Sequence, residues 1–108
     1  MKFDQLQSYA LSLAEATQQP HFERSSFRVA GKIFATVAPD QSSINLFVAE
    51  EDRERAIAIE PAVYEKLWWG SSVVGLTARV AEADPTLLKE LLWLAWQRRA
   101  PARLSRKQ

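Results

Sequence analysis

With one histidine, His21, and no cysteine, this chain lacks the parts for the commonest catalytic arrangements. Zinc is held by three or four His, Cys or carboxylate ligands, and a Ser or Cys nucleophile needs a histidine-type base beside it. His21 would have to serve either purpose alone, and a lone histidine near a strand edge is ordinarily satisfied by backbone or water. Carboxylates cluster at Glu50, Glu51, Asp52 and Glu54, where a pair such as Glu50 with Glu54 has the type for acid/base work or for holding a cation. The start of a solvated helix explains the same run, because acids there meet the positive end of the helix dipole. Gly31, Gly70 and Gly75 are scattered and form no phosphate-cradling loop. The chain therefore reads as non-enzymatic, with no cofactor and no metal.

What remains is charge and aromatic surface. Fourteen Lys and Arg face thirteen Asp and Glu, a net +1 that is too balanced to indicate nucleic-acid binding by itself. The distribution is less even: Arg98, Arg99, Arg103, Arg106 and Lys107 crowd the last eleven positions without one acid, while Arg24, Arg28 and Lys32 flank a glycine turn. These eight cations are the candidates for contacts to nucleic-acid phosphates, and Trp68 and Trp69 for stacking on bases of an unpaired strand. The plainer reading makes Arg28 and Lys32 edge-protecting strand cations and Trp69 a plug at the end of the core. A competing class is a protein-interaction or homodimerisation module built on Phe47, Trp93 and Trp96. That surface vanishes if the C-terminus folds back and Leu104 covers Trp93 and Trp96. A small-molecule pocket among Tyr64, Trp68 and Trp69 is permitted, but no convergent polar group supports it.

These side chains must be held by some scaffold, and the apolar spacing outlines one. Phe3, Leu6, Tyr9, Ala10, Leu13 and Ala14 recur at helical intervals, which predicts a first helix ending before Pro20. An edge strand follows over His21 to Arg24, and Phe27 and Val29 alternate with Ser26, Arg28 and Ala30 as a strand. Gly31 supplies the turn into a strand over Lys32 to Ala38, and Ile44, Leu46 and Val48 mark the buried side of another. Phe47 then points to the opposite, wetter face. A second helix begins at the acidic cluster and closes near Pro61. Trp69-Gly70-Ser71-Ser72 reads as a turn leading into a last strand over Val73 to Val80. Asp84 suits the N-cap and Pro85 the first position of a final helix, which buries a stripe of Leu87, Leu88, Leu91, Leu92 and Ala95. At 100° per residue Trp93 falls nearly opposite that stripe.

The order α-β-β-β-β-α-β-α with short turns predicts an α+β, two-layer fold: a twisted antiparallel sheet of about five strands with helices on one face and the other face open. At 108 residues, 47% of them hydrophobic and 25% charged, one domain over 1–100 with a basic tail over 101–108 is expected. No apolar run is long enough for a membrane span and Met1 to Gln5 lacks a secretory apolar region, so a cytoplasmic location is the expectation.

Several segments together carry a resemblance: His21-Phe22, Ser26-Phe27-Arg28-Val29, Gly31-Lys32-Ile33-Phe34-Ala35-Thr36, Pro61-Ala62-Val63-Tyr64, Trp69-Gly70, Ala95-Trp96 and Ala100-Pro101. In this order, and over nearly the whole chain, they resemble the MmcQ/YjbR family of small bacterial proteins. The resemblance implies a secretion-chaperone-like α+β fold, comparable with frataxin-type and double-wing domains, and a DNA-binding role that for this family rests largely on fold similarity. Two positions depart from the pattern. Phe47 stands where members often carry lysine, and Ala14 where they often carry proline; the first removes a candidate phosphate contact and adds an apolar side chain to the open face.

Overall fold

A computed structural model describes residues 1–105. Helix α1 (Phe3–Ser12) buries Leu6 and Ala10 and stops well short of Pro20, because Leu13 is already extended and Glu15 turns the chain with φ 55°. Strand β1 (Ala16–His21) follows and takes in Pro20. The expected edge strand is thus real but lies N-terminal to its predicted place. Proline is tolerated there because β1 is the outermost strand, where a missing N–H can face solvent.

Strands β2 (Arg24–Val29) and β3 (Lys32–Val37) form the anticipated hairpin. Val29 pairs with Lys32, so the loop is two residues, Ala30 at φ 50° and Gly31 at φ 79°. Two successive left-handed residues are the turn whose twist matches that of the flanking strands. Strand β4 (Ser43–Leu46) leads to α2 (Glu50–Ile59), which opens on the acidic run as expected.

Next comes a strand absent from the sequence reading, β5 (Tyr64–Trp69), joined by a two-residue turn to β6 (Ser72–Arg79). The sheet therefore has six strands, all antiparallel, in the order β1-β2-β3-β4-β6-β5. Helix α3 (Pro85–Arg99) starts as predicted, with the Asp84 carboxylate accepting from the Leu87 N–H at 3.0 Å. A short α4 (Ala102–Ser105) closes the described chain. Among the described residues no helix is long and apolar enough to cross a membrane.

One face of the sheet carries the core. Phe27, Ala35, Leu46 and Leu76 lie side by side across four strands, and Val37, Ile44, Ala78 and Tyr64 form the next row. The predicted α3 stripe from Leu87 to Ala95 packs on them, all buried. The other face carries a polar row across all six strands: Gln19, Ser26, Thr36, Asn45, Thr77 and Glu65, each paired with the next. Thr77 Oγ1 donates to Asn45 Oδ1 at 2.8 Å, and Ser26 Oγ to the Gln19 carbonyl at 2.9 Å. The two-layer architecture follows from this contrast, since only one face has apolar surface to hide.

Trp96 corrects one expectation outright. It is fully buried, and its indole N–H donates to the Ala14 carbonyl at 3.0 Å, so it is core rather than partner surface. Trp93 is half-buried against the same core. The C-terminus does fold back: Leu104 is buried in the core cluster, and Arg103 grips Glu15 through two hydrogen bonds of 2.6 and 3.0 Å. Packing thus extends past residue 100 to 104, while Arg106 and Lys107 lie outside the described residues.

Candidate functional site

Two hollows meet at the end of the sheet where β5 stops and β6 starts. The first, about 690 Å³, lies between α2, the last turn of α3 and the strands, and its charged walls are Glu50, Arg53, Lys66, Arg98 and Arg99. The second, about 500 Å³, is lined by Phe47, Leu67, Trp68, Trp69, Val74 and Arg99. Val74 and Arg99 belong to both, so a cationic cup and an aromatic shelf adjoin.

Each wall has a local cause. Gly75 has no side chain because a Cβ there would sit 2.6 Å from the Leu46 carbonyl oxygen and 3.4 Å from the Phe47 ring. Phe47 lies beside this glycine and lines the shelf. Neighbours in a strand point to opposite faces, yet Trp68 and Trp69 both line the shelf, and a register shift between Leu67 and Trp68 falls at this point. Trp68 is 58% and Trp69 81% exposed, which is unusual for indoles on a small domain.

The cations are held differently from one another. Arg98 is exposed, but its Nη1 donates to the Val48 carbonyl at 3.0 Å and the Phe47 carbonyl at 3.4 Å, tying the end of α3 to the chain leaving β4. Arg99 is half-buried, and its Nε is shut away from solvent with no hydrogen-bond partner among the described residues. Arg53 is 9% exposed and paired with Glu54 at 2.8 Å and Glu50 at 3.5 Å. Its hydrogen bond holds the Glu54 carboxyl below the usual carboxylate range, with the charge of Lys66 adding to the effect. Among the described residues neither Lys66, Arg98 nor Arg99 is in an ion pair.

The other predicted cations lie elsewhere. Arg24 crosses the polar row to Thr36, donating to Oγ1 at 3.2 Å and to the carbonyl at 3.3 Å, and Arg28 Nε donates to Ser26 Oγ at 2.9 Å. Both help cover Ser26 and Thr36 and are anchored to the sheet. Lys32 is exposed at the hairpin. Arg103 is committed to Glu15. Of the sequence-level candidates the structure gathers Arg98, Arg99, Trp68, Trp69 and Phe47, and it adds Arg53 and Lys66. Those two were missed for identifiable reasons. Arg53 is embedded in an acidic run, and the period-two pattern that sets Lys66 beside Trp68 shows only once β5 is seen as a strand.

A larger hollow of about 880 Å³ lies at the opposite end of β6, where Lys2 and Arg79 are offset by Glu65 and Glu82. Among the described residues no three His, Cys, Asp or Glu side chains gather as a metal site would require.

In comparison with known proteins, the family model described as YjbR fits residues 11–98 of the chain. A search of curated proteins finds none that matches.

Proposed function

The chain belongs to the YjbR family, and from that premise we propose that it is a non-enzymatic, DNA-binding protein of the bacterial cytoplasm that grips the phosphate backbone with its cationic cup. The supporting observation is the convergence of Lys66, Arg98 and Arg99, none of them in an ion pair among the described residues, on one hollow beside exposed tryptophans. A net charge of +1 conceals this: of the four cations there, only Arg53 is in ion pairs among the described residues, with Glu50 and Glu54. Binding of this kind draws its energy from counterions released as phosphates are neutralised, and it carries no sequence information. Lys32 extends the positive surface along the same end of the sheet, since β3 begins where β4 and β5 end.

Fluorescence anisotropy with labelled DNA at several salt concentrations tests this. Neutralising about three phosphates gives a slope of log K on log salt of about −3 for a duplex, and Lys66→Ala removes about one unit of it. A flat titration at the lowest salt, or a slope indifferent to Lys66→Ala, would overturn the reading. The second reading, a protein-interaction or homodimer module, is favoured by the exposure of Trp69 and Trp68 alone. Light scattering that shows a dimer split by Trp69→Ser would favour it instead.

A further inference from the structure

We infer that the bound nucleic acid is a single strand, with a phosphate in the cationic cup and a neighbouring base stacked on the tryptophan shelf. The inference rests on the reading that the cup binds phosphate, and it specifies what occupies the shelf. The argument is one of complementarity between two surfaces that share Arg99 and Val74. An apolar peptide would cover Trp68, Trp69 and Phe47 but leave Lys66, Arg98 and Arg99 desolvated against nothing of opposite charge. A duplex would meet the cations but keeps its base faces stacked inside the helix, leaving the indoles without a partner. An unpaired strand offers negative charge and an accessible π-face a few ångströms apart, and so satisfies both.

Arg99 joins the two halves. Its half-buried side chain lines the shelf as well as the cup. A planar guanidinium can donate to phosphate along its edge and lie against a base with its face. Leu67, Val74 and Phe47 make the rest of the shelf lining apolar beside the two indoles and Arg99. Stacking on an indole face accepts any base, so the shelf holds the base by its π-face and not by its identity.

The test compares oligothymidylate, oligouridylate and a duplex of equal length, each roughly twelve units, within the span of a compact single-strand-binding domain. At low salt both single strands should bind at least tenfold more tightly than the duplex and quench tryptophan fluorescence. Trp69→Ala, a change at an exposed position, should weaken single-strand binding roughly tenfold and leave duplex binding unchanged. Lys66→Ala should weaken both. Equal affinity for strand and duplex, or indifference of the single strand to Trp69→Ala, overturns the single-strand assignment while leaving the phosphate-binding cup standing. Absence of binding to all three overturns both.

Discussion

Tyr64 carries a hydroxyl that is buried and has no hydrogen-bond partner among the described residues. Burial pushes its pKa well above the ordinary tyrosine value, and the nearby carboxylates of Glu60 and Asp84 add to the rise by opposing a phenolate. The unfolded chain loses this proton at about pH 10, whereas the folded chain keeps it. The folded state thus binds the proton more tightly, so the stability it contributes is complete below about pH 10 and declines as pH rises beyond that. Tyr64→Phe is expected to flatten that alkaline decline and to leave stability at neutral pH unchanged or higher by about 1 kcal/mol, since no hydrogen bond is lost. Urea midpoints for both proteins from neutral to strongly alkaline pH check this. A loss of more than about 1 kcal/mol at pH 7 would mean that the hydroxyl has a partner after all.

Among the elements, α4 shows which of two effects holds the C-terminus. The Arg103–Glu15 pair has good geometry but both side chains are at least half exposed, and such pairs contribute about 0.5 kcal/mol. Leu104 is 6% exposed in the core cluster, and deleting a buried leucine side chain costs about 2 kcal/mol or more. Leu104→Ala should therefore lower the denaturation midpoint clearly while Arg103→Ala barely moves it. The reverse order would show that charge docks α4. The same contrast between pattern and context explains what could be read from the sequence. The Gly31 hairpin, the Asp84 cap and the α3 stripe were legible because each is set by local rules. Trp96 was also legible in principle: it lies four residues after Leu92 and eight after Leu88, on the buried stripe, and grouping it with Trp93 as surface disregarded that spacing. Strand β5 was not legible. It lies at the sheet edge with mostly exposed side chains, so burial leaves little alternation on its sequence. With β5 hidden, the cup formed by Lys66 and Arg53 stayed hidden as well.

At the scale of the molecule, the helices occupy one face of the sheet, the polar row the other, and the recognition surface the end where three connections gather. Charge that nearly cancels over the chain is thus concentrated where a ligand could approach without displacing the core. The sheet order has a separate consequence, in time. The β1–β2, β2–β3 and β5–β6 hairpins have two-residue loops and can form within microseconds. By contrast β4 pairs with β6 and passes over β5, so the Leu46–Leu76 seam closes only after the long loop containing α2 is gathered in. The seam should be the late step that limits the folding rate. Leu46→Ala should slow refolding as much as it destabilises, whereas Val29→Ala, beside a hairpin turn, should mainly hasten unfolding; chevron plots of the two variants separate these outcomes. If Leu46→Ala left the refolding limb unmoved, the seam would form after the barrier. Until it closes, the fold is two unjoined sets of strands, and the end of the sheet that carries the cup and shelf does not yet exist.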